Sequence, residues 1–226
     1  QEALHEKRIG DIAQAIYDRN DVKFVMIAGP SSSGKTSFAT RLSIHLKVNN
    51  LNPISISLDN YFIDRDKTPL DEFGHLDYES IRAIDLKRFN KDLNDLLEGK
   101  EVQLPRYNFI TGKSEPGEIL QIDENQPIIL EGIHGLNPML TASIPDNEKF
   151  KIYLSALTQL NLDDHNRIPT TDLRLIRRIV RDNQFRGHTA EMTIKGWPSV
   201  RRGEEKNIFP YQEQADVMFN TACVYE

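Results

Sequence analysis

The feature that most constrains this chain is the eight-residue loop at 29–36, GPSSSGKT. It fits the pattern G-x-x-x-x-G-K-[ST] of a phosphate-binding loop. An apolar, β-rich run (VKFVMIA) precedes it at 22–28, and the segment that follows at 37–48 carries Phe38, Leu42 and Leu46 at helical spacing. A phosphate loop joins a buried strand to a helix. These flanks therefore favour a phosphate site over a glycine-rich turn that fits the pattern by chance.

Each part of the loop has a chemical role. Gly29 and Gly34 permit backbone angles that are closed to other residues, so successive N–H groups can point inward and form an anion nest at the helix N-terminus. Lys35 adds positive charge for the β- and γ-phosphates, and the Thr36 hydroxyl can ligate Mg²⁺. We predict that ATP binds through the loop residues Gly29, Ser31, Ser32, Ser33, Gly34, Lys35, Thr36 and Ser37.

Length and charge narrow the class of protein. A chain of 226 residues can form one large domain or two small ones, and no repeat or linker divides it, so we predict a single domain over 1–226. The net charge of −6 argues against general nucleic-acid binding. Within residues 165–206, however, ten Lys or Arg accompany only five Asp or Glu. Such a basic segment on an acidic body is typical of a lid that handles phosphate.

Cysteine use and hydropathy indicate the compartment. Cys223 is the only cysteine, which excludes an internal disulfide and fits a reducing compartment. No apolar run approaches the roughly 20 residues of a membrane span, and no signal-peptide pattern is present. We therefore predict a cytoplasmic protein without a membrane partner. Because the sequence starts at Gln1, we also expect a processed protein or a domain excised from a longer one.

Apolar and helical segments alternate along the chain. We predict an N-terminal helix within 1–20 that packs on the sheet edge, a helix over 80–98 stopped by Gly99, and an arginine-rich helical lid over about 158–196, with Trp197-Pro198 ending the basic section. Residues 101–122 predict a hairpin. The predicted strands are 22–28, 54–58, 127–130, 150–154 and 215–220. This alternation predicts a three-layer α/β/α fold with a mainly parallel five-stranded sheet.

Two acids lie at the ends of predicted strands, where α/β sheets place their ligands. Asp59 follows the second strand, and a carboxylate there can orient a hydroxyl and accept its proton. Glu131 ends the apolar strand at 127–130, where it can hold Mg²⁺ directly or through water. The alternatives are a turn or cap aspartate for Asp59 and a salt-bridged strand-end acid for Glu131.

In this order, the motifs GPSSSGKT, SLDNYF, PRYNF, ILEGIHGLN, RLIRRIVRD with a following RG, and the final ADV resemble the uridine kinase / phosphoribulokinase family of P-loop kinases. The resemblance runs from about residue 22 to about 220. It implies that the γ-phosphate of ATP is transferred to a hydroxyl of a small molecule, with Mg²⁺ as the metal. In uridine kinases that hydroxyl is the 5′-OH of uridine or cytidine. Related kinases act on ribulose 5-phosphate or pantothenate, and a homo-oligomer is left open.

The acceptor site departs from the uridine kinase pattern. In those enzymes a base-reading histidine follows the segment that resembles Tyr107-Asn108-Phe109, whereas Gly112 stands in that stretch here, and Met192 stands near the position of a lid glutamine. The residues predicted to contact the acceptor are Tyr61, Asp77, Tyr107, Phe109 and Arg174. Ordinary packing is the alternative for the aromatic residues.

The arginines of the basic segment fall at helical spacing. Arg174, Arg177, Arg178 and Arg181 are three, four and seven residues apart, so they cluster on one helix. A guanidinium brought in by a lid can stabilise the charge of a transferring phosphate. We therefore predict that Arg174, Arg178 and Arg181 act with Lys35 and Asp59 in catalysis. A solvated basic face is the alternative.

Two functions of other classes compete with a kinase. A regulatory GTPase switch requires N-K-x-D for guanine, and Asn90-Lys91-Asp92-Leu93 lacks the final aspartate. No S-G-G-Q signature of ABC-type ATPases is present either. The second competitor is a non-catalytic nucleotide-binding domain. Against it stand the intact Lys35, Thr36, Asp59 and Glu131.

Overall fold

The computed structural model describes residues 1–123, 126–142, 144–161 and 163–225. Within these ranges the α-helices are α1 (Glu2–Asp18), α2 (Lys35–Val48), α3 (Leu86–Leu97), α4 (Thr170–Phe185) and α5 (Ala190–Asn207). The strands are β1 (Phe24–Ala28), β2 (Ile54–Ser57), β3 (Val102–Asn108), β4 (Lys113–Leu120), β5 (Ile128–Glu131), β6 (Lys149–Ser155) and β7 (Val217–Asn220). Among the described residues, no helix is both long and apolar enough to cross a membrane.

Five strands form one sheet in the order β2-β5-β1-β6-β7, and every neighbouring pair is parallel. Strands β3 and β4 form the predicted hairpin, which is antiparallel and separate from this sheet. In a parallel sheet all carboxyl ends lie at one edge. The phosphate loop after β1, Asp59 after β2 and Glu131 at the end of β5 therefore meet at that edge.

The side chains of β1 alternate between two cores, as the pleat of a strand requires. Phe24 and Met26 pack on the face covered by α3 and the hairpin. Val25 and Ile27 pack on the opposite face, with α1 and α2. The prediction of a three-layer fold is thus confirmed. The N-terminal helix differs from expectation, since it packs beside α2 on a sheet face and leaves Leu4 exposed.

The helix predicted over 80–98 begins later. Residues Ile81–Ala83 form a 3₁₀ turn, and α3 starts after Asp85, whose carboxylate accepts the backbone N–H of Arg88 at 3.0 Å as an N-cap. Ile84 instead forms a bridge with Phe62. Apolar spacing alone could not separate these two elements, because the capping aspartate lies inside an otherwise continuous helical pattern.

The lid consists of two helices, α4 and α5, which are called the lid helices below. They are separated at Gly187, which has a φ of 68° and so adopts the left-handed conformation that ends a helix. The prediction that Trp197-Pro198 ends the section is wrong, because α5 continues through Pro198 to Asn207. A proline removes one helical hydrogen bond, but Val200 and Gly203 are buried beyond it and hold the helix. The predicted lid range also included residue 162, which lies outside the described residues.

Candidate active site

The phosphate loop has the strained backbone that its sequence predicts. Gly34 has a φ of 83° directly before α2, and Ser32 has a φ of 60°. Gly29 runs so close to β6 that a Cβ atom on it would lie 2.4 Å from the Leu154 carbonyl oxygen. Glycine is required at Gly29 for space and favoured at Gly34 for conformation. The result is a loop wrapped around the N-terminus of α2, which is an anion-binding arrangement.

Lys35 folds over the loop that precedes it. Its Nζ donates to the carbonyl oxygens of Gly29 at 3.0 Å and Pro30 at 3.1 Å. Burial lowers the pKa of Lys35 to about 8, against the carboxylates of Glu131 and Asp59, which favour the charged form. A phosphate beside the ammonium would favour the charged form further. The structure thus places the lysine charge at the loop, between the two strand-end acids.

Thr36 and Glu131 form a pair of oxygen donors. The Thr36 hydroxyl donates to Glu131 Oε1 at 3.1 Å, and Glu131 is buried. Burial, reinforced by the nearby charge of Asp59, raises the pKa of Glu131. Within the described ranges no group of three or more His, Cys, Asp or Glu could hold a metal by itself. Mg²⁺ at nucleotide sites takes one or two protein oxygens and completes its shell with phosphate and water, which is the donor set that these two residues offer.

All three polar groups of Ser31 in the loop are held by the lid helices. Its N–H donates to Glu204 Oε1 at 2.9 Å, and its carbonyl accepts from Arg174 Nε at 2.9 Å. Its hydroxyl oxygen accepts from Arg178 Nη1 at 2.7 Å. Arg174 and Glu204 are themselves an ion pair, each at most 2% exposed, and the Arg174 guanidinium lies 5.3 Å from the Trp197 ring centroid. The base of the lid is thus fixed to the phosphate loop.

The predicted arginine cluster therefore divides in two. Arg174 is buried in the pair with Glu204, whereas Arg178 and Arg181 reach toward open space and share the buried carboxylate of Asp182. Burial opposes ionisation of Asp182, but Arg181 and Arg178 outweigh it and lower its pKa. Arg177 instead contacts Thr221, to which its guanidinium donates at 3.2 Å.

Arg186, which follows α4, reaches the predicted catalytic acid. Its Nη2 lies 3.1 Å from Asp59 Oδ2, and its guanidinium carbon lies 3.8 Å above the Phe109 ring centroid. Burial, with the repulsion of Arg181, lowers the pKa of Arg186, although Asp59 favours the charged form. Arg186 is the C-cap residue of α4. Its partner Asp59 lies 127 positions earlier in the chain, so no local sequence pattern reveals this contact.

Two cavities meet at this point. The loop cavity, about 700 Å³, is lined by the phosphate loop, α1 and β7. The lid cavity, about 660 Å³, lies between the lid helices and the segment from 59 to 79. Their common wall consists of Lys35, Asp59, Phe109, Arg181 and Arg186. This shared wall contains a carboxylate and several cations, which is the chemistry that transfer of a phosphoryl group between two ligands requires.

Among the residues predicted to contact the acceptor, only Phe109 lines the lid cavity. Tyr61 is buried, and its hydroxyl donates to Asp92 on α3 at 3.2 Å. Tyr107 is buried against Phe62 and Phe109, and Arg174 belongs to the buried pair with Glu204. Asp77 is half-buried and also lies off the cavity lining. The structure thus places these four predicted residues outside the lining of the lid cavity.

Other residues take their place in the lid cavity. Phe62, Arg65, Tyr78 and Glu79 line it. Arg65 also explains the glycine at 112, since a Cβ atom there would lie 2.7 Å from Arg65 Nε, and Arg65 Nη2 donates to the Phe109 carbonyl at 2.6 Å. These residues come from a polar segment without periodicity, so the sequence offered only the expectation of a loop over the site.

Comparisons with known proteins show which family the chain matches. The model of the Phosphoribulokinase / Uridine kinase family matches residues 24–225. A uridine kinase of Macrococcus caseolyticus is 30% identical over 196 residues, covering 85% of this chain and 84% of the relative. A uridine kinase of Lactobacillus helveticus is 29% identical over 197 residues, covering 85% and 83%.

Among solved structures, a D-glycerate 3-kinase from Cryptococcus neoformans var. grubii matches with a TM-score of 0.61 at 14% identity, covering 92% of this chain and 89% of that one. At that identity the likeness shows the fold alone. The resemblance that the sequence motifs suggested is confirmed by the family match. The chain therefore belongs to the phosphoribulokinase / uridine kinase family and is a phosphotransferase with a hydroxyl acceptor.

Proposed function

We propose that this protein transfers the γ-phosphate of ATP to the 5′-hydroxyl of uridine or cytidine. The observation that carries the proposal is the common wall of the two cavities, where Lys35 and Asp59 lie together. The triphosphate binds in the loop cavity at the N-terminus of α2, and the acceptor binds in the lid cavity. The curated relatives named uridine kinase support the choice of acceptor.

The chain's own residues account for the transfer step. Asp59 orients the acceptor hydroxyl and takes its proton as the oxygen attacks the γ-phosphorus, whose bond to the β,γ-bridging oxygen breaks so that ADP leaves. Lys35 and the loop N–H groups balance the charge of the phosphates, and Arg178, Arg181 and Arg186 surround the transferring group from the lid side. Arg186 contacts only Oδ2 of Asp59, at 3.1 Å, so Oδ1 can face the acceptor hydroxyl while the ion pair holds the carboxylate in place. The lid helices also exclude water, which would otherwise compete as the acceptor.

Mg²⁺ fits the oxygens of Thr36 and Glu131, which would hold it directly or through water. When bound, the metal neutralises charge on the β- and γ-phosphates. We further propose a cytoplasmic location, because the reaction consumes ATP and the single Cys223 requires no oxidising compartment. No nucleic acid or membrane is a partner in this scheme.

One observation favours a different acceptor. Arg65 fills the corner of the lid cavity at Gly112, where a base-reading histidine was expected, and it brings a positive charge to that corner. A guanidinium suits a phosphate or carboxylate oxygen. A phosphorylated sugar or another anionic polyol is therefore the second candidate acceptor on the same machinery.

The test is ADP release from MgATP in the presence of single acceptors: uridine, cytidine, thymidine, ribose, glycerate and ribulose 5-phosphate. We expect uridine and cytidine to give the highest kcat/KM. A higher kcat/KM with an anionic acceptor would move the assignment to the second candidate. The protein could also bind ATP and release no ADP in response to any of these acceptors. That result would overturn the kinase proposal in favour of a non-catalytic nucleotide-binding domain.

A further inference from the structure

Glu79 is an acid in the wall of the lid cavity that the proposed mechanism does not use. It is 6% exposed. The other acids of the site are paired at close range, Asp59 with Arg186, Asp182 with Arg181, and Glu204 with Arg174. Within the described part of the chain, the only cation near the Glu79 carboxylate is Arg178, whose Nη1 lies 4.0 Å away. The backbone N–H of Glu79 itself also stabilises the ionised carboxylate. Burying an acid with so few partners is costly unless another group supplies hydrogen bonds.

The fold makes room for Glu79 at this place. Gly203 of α5 faces it so closely that a Cβ atom at that position would lie 2.3 Å from the Glu79 Cβ. Every other residue type would therefore push Glu79 out of the wall. Gly203 lies inside a helix, where glycine is less favourable than alanine. Gly203 thus leaves room for Glu79 in the cavity wall, although it makes α5 less stable.

Charged groups face Glu79 from the neighbouring elements: Arg178 from α4, Glu204 from α5 and Asp77 from its own segment. His134, from the loop after β5, lies by the Glu79 backbone, and burial lowers its pKa to about 4, so it is neutral. Burial raises the pKa of Glu79 to about 7, and the negative charges of Glu204 and Asp77 add to this effect, while Arg178 opposes it. The carboxyl group is therefore poised between its two forms near neutral pH. A ligand that donates hydrogen bonds to it would favour the ionised form.

We propose that Glu79 is a specificity-determining residue of the acceptor site, where its carboxylate accepts hydrogen bonds from a neutral donor on the acceptor. The donor is either a sugar hydroxyl or a ring N–H or amino group of a base. This inference rests on the proposed function for the identity of the cavity. A buried polar group discriminates strongly, since a ligand without the donor leaves the carboxylate unpaired.

The experiment measures binding without turnover, so that it stands apart from the kinase assay. Uridine, 2′-deoxyuridine, 3-methyluridine and ribose are titrated by calorimetry into protein saturated with a non-hydrolysable ATP analogue. The variants are Glu79→Ala, which removes the acceptor oxygens, and Glu79→Gln, which keeps one. The matched control is Glu72→Gln, which removes the same charge at an exposed position of the same segment.

We expect Glu79→Ala to weaken uridine binding about 10- to 100-fold, as for loss of a hydrogen bond to a charged group, with Glu79→Gln between it and the wild type. Glu72→Gln should bind as the wild type does. ATP affinity should not change in any variant. If the donor is the 2′-hydroxyl, 2′-deoxyuridine will bind the wild type and Glu79→Ala with equal affinity. If the donor is the ring N–H, 3-methyluridine will bind the two proteins with equal affinity.

A pH series gives an independent readout. Because donors favour the ionised carboxylate, wild-type affinity for uridine should rise as pH increases from 6 to 8, and the Glu79→Gln protein should lose this dependence. The inference would be overturned if the wild type and Glu79→Ala bound every probe with equal affinity. It would also be overturned if neither protein bound any probe measurably. Binding that depends on Glu79 without any transfer in the ADP assay would instead overturn the proposed function and leave the role of Glu79 standing.

Discussion

The two cavities differ in where their proposed ligand-binding groups come from. In the loop cavity, the groups proposed to bind phosphate belong to one contiguous stretch, of which Ser32 and residues 34–37 line the cavity. The lid cavity is lined by side chains from separate segments, among them Phe62, Glu79, Phe109 and Arg186. The proposed phosphate site is thus a local property of the chain, whereas the proposed acceptor site depends on the tertiary fold. The same scaffold can therefore keep its nucleotide chemistry while its acceptor changes.

The two sides also differ in how closely the polar groups compared here are paired. Ser31 of the loop is bonded through its N–H, carbonyl and hydroxyl to Glu204, Arg174 and Arg178. By contrast, the polar groups on the lid side include Glu79, whose nearest cation is 4.0 Å away, and Lys195, whose pair with Glu191 is exposed. A phosphate loop whose polar groups are closely paired suits the binding of ATP in one position. A lid cavity that contains less closely paired polar groups suits the binding of an acceptor.

Replacing Lys35 should have the largest effect on turnover. Lys35→Ala removes the charge at the common wall of the two cavities, and we expect kcat to fall about 10³-fold for every acceptor, as for other cations placed on a transferring phosphate. The matched control is Lys47→Ala, on the exposed side of the same helix. Steady-state ADP release measures both. Undiminished turnover in Lys35→Ala would show that the loop cavity is not the ATP site.

Asp59→Asn should rank second. The amide keeps the shape of the side chain but cannot accept the proton, so kcat should fall by about 10²-fold while ATP affinity remains. Nucleotide titration and turnover are measured on the same variant, with Asp66→Asn, in the following 3₁₀ turn, as the control. If ATP affinity is lost and the remaining rate is unchanged, Asp59 has a metal-binding or structural role instead.

The sequence predicted the loop cavity better than the lid cavity. The phosphate loop, the parallel sheet and the family resemblance were readable because strand, loop and helix signals lie next to one another around Gly34. The positions of Asp59 and Glu131 followed from strand ends. For the lid cavity, the predicted site residues Phe109, Arg178 and Arg181 do line it. Several of its other lining side chains were not predictable, since Tyr61 and Asp77 differ from Phe62 and Glu79 by only one or two positions, and that offset decides which side chain faces the cavity.

Arg174 joins the lid helices to the phosphate loop through Ser31. Its substitution distinguishes a catalytic role from a positioning role. Arg174→Lys keeps the charge but loses the Nε–H bond to the Ser31 carbonyl. We expect KM for ATP to rise about tenfold and the free energy of unfolding to fall by about 2 kcal/mol, with little change in kcat. Arg82→Lys, at an exposed position, is the control. A large loss of kcat with unchanged KM for ATP would show that Arg174 acts in catalysis, as the sequence predicted.

The smallest effect is expected at Tyr61, which the sequence predicted as an acceptor contact. Its hydroxyl donates to Asp92 Oδ2 at 3.2 Å in the core between β2 and α3. Burial, with the charge of Asp92, raises the pKa of Tyr61 well above its usual range, so it remains a neutral donor. Tyr61→Phe leaves Asp92 with Arg88 as its remaining partner, at 3.6 Å, and should lower the free energy of unfolding by about 1 kcal/mol.

Because Tyr61 lies outside the lid cavity, Tyr61→Phe should leave kcat/KM unchanged for uridine, cytidine and every other acceptor tested. Denaturant unfolding and acceptor ranking are measured together, with Phe62→Leu as the contrast, since Phe62 is the neighbour that lines the cavity. Phe62→Leu should change the ranking of acceptors and Tyr61→Phe should not. The reverse result would place Tyr61 at the acceptor and would mean that the side chains around β2 turn toward the ligand when it binds.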